Sequence, residues 1–204
     1  TEVFCYLDLS SATNKIQVFI DGVLATIDVE DNDPFSSLYT PTNPVNTCGC
    51  IISSGNRIAF FDGEISELYT STNPLAITPA LIEQYATSEE HFTQVAPDVV
   101  PVVYDSFIGD GIDGYIKLAT HTFTDFISFK AHIEIDATPT GNGYIYSYNE
   151  DIPSAIQPPF RVFITPDRKI QVMAYGSFPS SVDVRKYIRT NEVIALNTRT
   201  EVFC

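Results

Sequence analysis

The sequence predicts an all-β fold, an antiparallel two-sheet sandwich carrying one short helix. Three observations lead there. Apolar and polar residues alternate with a period of two along most of the chain, as they do when successive side chains point to opposite faces of a strand. The 14 Phe and 11 Tyr, with many β-branched residues, suit a pleated, half-buried surface better than a helix. Only one segment carries a helix start signal. The 204 residues, 44% of them hydrophobic, suffice for the core of one large domain.

In chain order, "EVFCYLDLS" reads as a strand with Val3, Cys5, Leu7 and Leu9 on one face and Glu2, Phe4, Tyr6 and Asp8 on the other. "ATNK" turns into "KIQVFIDGVLATIDV", where Ile16, Val18 and Ile20 share a face and Asp21-Gly22 supplies a tight hairpin turn. Residues 31–50 are rich in Pro, Asn, Ser and Thr and read as a long excursion over the surface. "NRIAFFDGEISELYT" reads as a further strand pair. The helix follows in "ITPALIEQYATSEE": Thr78 caps it, Pro79 takes the first helical position, and Leu81, Ile82 and Tyr85 form the inner side. Residues 91–103, "HFTQVAPDVVPVV", hold two Pro and no period, and read as a linker. Beyond them at least six strands follow, in "DGYIKLA", "TDFISFKAHIEIDA", "GYIYSYNED", "PFRVFITP", "RKIQVMAYGSF" and "YIRTNEVIALNTRTEVFC".

The net charge of −15 excludes nucleic acid as a partner, because a polyanion needs clustered Lys and Arg that this chain lacks. A neutral glycan or a divalent cation remains admissible. No apolar run approaches the roughly 18 residues of a membrane span, so no membrane insertion is expected. The four Cys stand at 5, 48, 50 and 204. No second Cys or His pair stands near "CGC" to complete a zinc shell, so buried or unpaired thiols are expected.

With residues 104–204 placed before residues 1–90, the order "GIDGYIKL", "FTDFISFKAHIEI", "PFRVFITPDRKIQVMA", "EVFCYLDLSSATNKIQVFIDGVL", "RIAFFDGEISELYT" and the helix "LAITPALIEQY" resembles a laminin-G-like, concanavalin A-like jelly roll. The most specific parts are Leu7-Asp8 leading to "IQVFIDGVL", and Phe61 to Tyr69 followed by the helix. The resemblance implies one circularly permuted domain over 1–204. Residues 1–90 would be the family's C-terminal half, 91–103 the linker and 104–204 its N-terminal half. Adjacent termini make such permutation inexpensive.

One glycoside hydrolase family on that fold carries Glu, apolar, Asp, apolar, Glu on a single strand, which sets nucleophile and acid on one face. "HIEIDATP" resembles it in Glu134 and Asp136, with Lys130 and His132 beside them. Thr138 and Pro139 stand where the second Glu belongs, and neither can protonate a glycosidic oxygen. No catalytic residue is therefore assigned, and a degenerate glycosidase ranks last among the readings.

Two acidic loops are candidate calcium ligands: Asp28, Glu30, Asp31 and Asp33 in "DVEDNDP", and Asp110 and Asp113 in "GDGIDG". Calcium takes six to eight hard oxygens, and the resemblance to laminin-G-like and lectin domains implies that one can be held at a sandwich rim. Turn formation by the same Asp residues is the competing reading. His91, His121 and His132 stand far apart and suit structural or surface roles. Phe4, Tyr6, Phe19, Tyr144, Tyr146 and Tyr148 are candidates for a sugar-stacking platform, with burial in the core as the alternative.

The expectation is a non-catalytic module of structural assembly or adhesion in a virion, fibre or extracellular assembly; the alternatives are a glycan-binding lectin, calcium-dependent or not, and the degenerate hydrolase. One repeat bears on partners. "TEVFC" stands at 1–5 and again at 200–204, so two segments claim one strand slot. The repeat reads as a circle written out linearly or as one period of a tandem array. The second copy then frays, adds to a sheet edge, or fills the slot in a neighbouring subunit by strand exchange, with a plain permuted monomer as the alternative.

Overall fold

A computed structural model describes residues 1–10, 15–32, 35, 37–41, 43–53, 56–86, 88–90, 92–94, 102–104, 106–118, 123, 125–150, 159–176 and 185–196. The first strands are β1 (Glu2–Asp8), β2 (Lys15–Ile20), β3 (Val23–Leu24), β4 (Ile27–Asn32), β5 (Pro44–Cys48), β6 (Ile51–Ser53), β7 (Asn56–Ile58) and β8 (Asp62–Ser71). Helix α1 (Pro79–Gln84) follows, then β9 (Ser88–Glu90), β10 (Phe92–Gln94), β11 (Val102–Tyr104), β12 (Ser106–Asp110) and β13 (Ile116–Leu118). The last are β14 (Phe126–Ile135), β15 (Gly143–Glu150), β16 (Phe160–Ile164), β17 (Ile170–Tyr175) and β18 (Arg185–Thr190).

Two seven-stranded antiparallel sheets form the expected sandwich. The first runs β12-β8-β14-β1-β2-β3, with β9 also pairing to β8; the second runs β13-β5-β15-β16-β17-β18-β4. Strands from before residue 90 and after residue 104 interleave in both sheets, so each half supplies ladder partners to the other.

The alternation in β1 explains its place at the middle. Val3, Cys5 and Leu7 turn into the core between the sheets, where they meet Val18, Ile65, Phe129 and Ile133. Phe4 and Tyr6 turn the other way, and α1 covers them by seating Ile82 beside Ala76 and Phe126. Burying each such side chain contributes about 1.5–3 kcal/mol. The helix begins as its sequence dictates: Thr78 Oγ1 accepts from the Leu81 amide at 3.3 Å, and Pro79 opens the first turn. The hairpin after β2 also follows its residues. Asp21 and Gly22 adopt φ of 48° and 75°, the left-handed pair that matches strand twist in a two-residue turn. Gly63 answers a different need, since a Cβ there would lie 2.0 Å from the Glu134 carbonyl oxygen.

Two stretches depart from the sequence reading. The expected surface excursion over 31–50 contains β5, an interior strand of the second sheet with Val45 to Cys48 buried, and it sends Phe35 and Leu38 into the core. Thr47 within it looks like a loop residue, but its hydroxyl finds partners on β15. Thr47 Oγ1 lies 2.7 Å from Ser147 Oγ, accepts from Asn149 Nδ2 at 3.0 Å and donates to the Cys50 carbonyl at 2.9 Å. Across the expected linker 91–103, β10 pairs antiparallel with β11, which runs one residue beyond it to Tyr104.

Candidate binding face

Among the described residues, the carboxylates of Asp28 and Asp110 in the two loops have their partners within the fold. Asp28 is held by positive charge already: Lys169 Nζ donates to its Oδ2 at 2.8 Å, and Arg189 donates to the same oxygen through Nη2 at 2.8 Å and Nε at 3.1 Å. These bonds, Lys169's first and Arg189's next, hold the Asp28 carboxyl below the usual carboxylate range. Glu30 is exposed on β4 and stands opposite Ile188. Asp31 lies on β4 opposite Tyr187, but its side chain falls outside the described residues, as does Asp33 entirely. Asp110 Oδ1 accepts from the amides of Ile112, Asp113 and Gly114 at 2.9, 3.1 and 3.2 Å, which lowers its pKa and shapes the turn that leaves Asp113 exposed. Among the described residues, no three His, Cys, Asp or Glu side chains come together as a metal site.

On the outer face of the first sheet an ion network joins Lys130 and His132 of β14 to Glu2, Glu67 and Glu83. Lys130 is buried at 3% exposure, and its ammonium meets Glu83 and, at 3.2 Å, Glu2. Burial works to lower the Lys130 pKa, but the two carboxylates outweigh it and the ammonium is held above its usual range. His132 lies 3.5 Å from Glu2 and 3.6 Å from Glu67. The His132 contact, with Lys130 behind it, holds Glu2 below the usual glutamate range despite burial. The sheet also brings in a partner that a strand-by-strand reading missed: Glu64 on β8 stands directly opposite Glu134. Asp136 lies just past the end of β14 and is exposed. His91 and His121 fall outside the described residues.

The outer face of the second sheet is built differently. Alternate residues of β16, β17 and β18 line up across the ladder, pairing Phe163 with Gln171 and Gln171 with Arg189 in one row, and Arg161 with Met173 and Met173 with Tyr187 in the next. Arg161, only 8% exposed, donates from Nη2 to Tyr175 Oη at 3.0 Å and lies 5.3, 5.8 and 5.9 Å from the rings of Tyr175, Tyr144 and Phe163. Tyr144 stacks on Phe163 at 4.9 Å, and Ile51 and Ala59 from the flanking segment pack against them. That end of the face is covered. Toward β4 it opens into a cleft of about 260 Å³ lined by Val29, Gln171, Met173, Arg185, Tyr187 and Arg189. The Arg185 guanidinium sits 5.4 Å from the centre of the Tyr187 ring.

No family model, curated protein or solved structure matches the chain.

The stacking platform expected from Phe4, Tyr6, Phe19, Tyr144, Tyr146 and Tyr148 is not formed by those residues. Tyr146 and Tyr148 are fully buried in the inter-sheet core, Phe4 and Tyr6 lie under α1 with Phe19 packed against them, and Tyr144 belongs to the covered arginine cluster. Every one of them has a neighbour on its face, because β1 and β15 are covered on both sides. The aromatic that lines the cleft is Tyr187, which is half-buried and whose signal was the alternation Arg185, Tyr187, Arg189 in "RKYIRT". Cys5, Cys48 and Cys50 are buried and in no disulfide, and burial pushes the Cys50 thiol up to about 11. Cys204 lies outside the described residues. Among these residues no helix is long and apolar enough to cross a membrane.

Proposed function

We propose that this chain is a non-catalytic β-sandwich module of assembly or adhesion, working by surface contact, and that it makes its contact with a glycan at the open end of the second sheet. The observation that carries the reading is the Tyr187 cleft. A tyrosine ring provides the flat apolar face against which a sugar ring stacks, and Gln171, Arg185 and Arg189 around it provide amide and guanidinium donors for hydroxyl groups. β17 and β18, which carry these donors, each pair with a strand on both sides, so the donors are held on a rigid support. A virion, fibre or extracellular assembly is the proposed setting, supported by the resemblance of the strand order to laminin-G-like and concanavalin A-like domains. The permuted jelly-roll order belongs to the same proposal.

The Asp28 and Asp110 carboxylates are engaged by cations and amides within the fold, which favours calcium-independent contact. A glycan array probed with and without EDTA tests the reading. Binding that survives EDTA and is lost in Tyr187→Ala is the expected result; a full array without binding overturns the glycan contact.

A second reading concerns assembly and rests on β1. Val3, Phe4 and Cys5 are paired on both sides, by β14 and β2, and have no exposed surface. That slot has room for one strand. Residues 200–204 carry the same sequence, so in a second copy of the fold they match the same slot. We propose strand exchange between neighbouring subunits on this basis.

A further inference from the structure

The strand that receives β1 runs past the segment that fills its slot. β1 pairs with β14 from Asp8 opposite Phe126 to Glu2 opposite His132. Thr1 adds one more rung: its carbonyl accepts from the Ile133 amide at 2.8 Å, and its nitrogen donates to the Ile133 carbonyl at 3.0 Å. β14 then continues to Glu134 and Ile135, which no residue of β1 faces. Glu134 shares the outer face of the sheet with Lys130 and His132, and Glu64 of β8 stands directly opposite it. Both carboxylates are half-buried, and among the described residues neither forms an ion pair. Like charges directly opposite each other across a ladder are unfavourable, so this rung is complementary to a cation.

The second copy of the repeat brings one. "TEVFC" at 200–204 follows Arg199, and residues 197–204 lie outside the described residues. In the register that β1 holds, Thr200 faces Ile133 and Glu201 faces His132, next to Lys130, as Glu2 does now. The residue before Thr200 faces Glu134, and alternation puts it on the outer face with Glu201 and Phe203. Thr200 carries a neutral amide where Thr1 carries an ammonium, so the cation at this rung is then Arg199. Its planar fork of five donors suits two adjacent carboxylates. We propose that the exchanged strand is read by charge as well as by shape: Arg199 of a neighbouring copy docks on Glu134 and Glu64, one rung beyond the repeat. The contact matters because a chain of net charge −15 repels its own copies, and local charge complementarity fixes partner and register where the long-range field opposes association.

This inference rests on the strand-exchange reading above, and its test separates the two. Sedimentation equilibrium is run on the full chain, on the chain lacking Thr200 to Cys204, on Arg199→Glu, on Glu134→Arg, and on an equal mixture of the two variants. Each variant alone sets like charges at the rung and should associate about tenfold or more weakly than the parent. The mixture should regain the parent's association, because each variant then offers the other an opposite charge. Circular dichroism of each variant should match the parent. Weakened association that the mixture fails to restore overturns the Arg199 contact. So does association at the parent's strength in both variants; if the deletion still disperses the chain, strand exchange stands without it. A full chain that is monomeric and indifferent to the deletion overturns both.

Discussion

Asp28 and Arg189 lie in neighbouring strands, β4 and β18, and join them through a side-chain bond as well as the backbone ladder: Arg189 Nη2 donates to Asp28 Oδ2 at 2.8 Å, and Lys169 reaches the same oxygen. The bond ties the edge strand of the second sheet to its neighbour at the rim of the cleft. It also has a pH signature. A carboxyl held below its unfolded value contributes stability above the unfolded pKa, near 3.9, and that contribution is lost as pH falls through the folded value. Asp28→Asn should therefore melt below the parent at pH 6, with the gap closing as both are titrated through the acid range. A gap that stays constant into acid would show that the ion pair contributes nothing.

Because Asp28 and Asp110 already have their partners, millimolar calcium should leave Tm unchanged. Scanning calorimetry with calcium and with EDTA checks this. A rise in Tm that Asp110→Asn removes would restore the loop as a calcium site.

Lys130 is the inverse case. Its folded pKa is raised, so its contribution is full below the unfolded value, near 10.4, and is lost as pH rises through the folded one. Lys130→Met leaves Glu2 and Glu83 facing each other without a cation and should destabilise by about 1–3 kcal/mol at neutral pH. A denaturation midpoint equal to the parent's would contradict the network's role.

Glu64 and Glu134 stand opposite each other as like charges. Glu134→Gln should stabilise the fold slightly, by about 0.2–1 kcal/mol in low salt, and should leave any hydrolysis of carbohydrate by a preparation unchanged. A large loss of hydrolysis in this variant would overturn the non-catalytic reading.

Strand exchange predicts that the full chain associates and that deleting Thr200 to Cys204 shifts it to a monomer, as read by light scattering. A full chain that is strictly monomeric and unaffected by the deletion would rule exchange out.

The strand-forming stretches could be read from the chain because their evidence is local. Ile16, Val18 and Ile20 alternate, Asp21-Gly22 allows only a narrow set of turns, and Thr78-Pro79 announces a helix whichever sheet it covers. β5 could not be read that way. Asn46 and Thr47 look like loop residues until Ser147 and Asn149, about a hundred positions on, arrive beside Thr47. The binding face failed for the same reason. Arg185, Tyr187 and Arg189 alone look like the solvated side of one strand; register with Gln171 and Met173 makes them a cleft, and register between strands is set by the whole sheet. Parity told which aromatics shared a face, as with Phe4 and Tyr6, but gave no sign that a helix would lie over that face.

The account's central claim is that contact is made at the open end of the second sheet. The most direct test is a backbone amide chemical-shift titration of the full chain with a glycan that it retains on the array. The account predicts shifts concentrated at Val29, Gln171, Met173 and the Arg185 to Arg189 strand, abolished by Tyr187→Ala. Shifts confined to the Asp110 turn or to the outer face of the first sheet around Lys130 and Glu134 would contradict it.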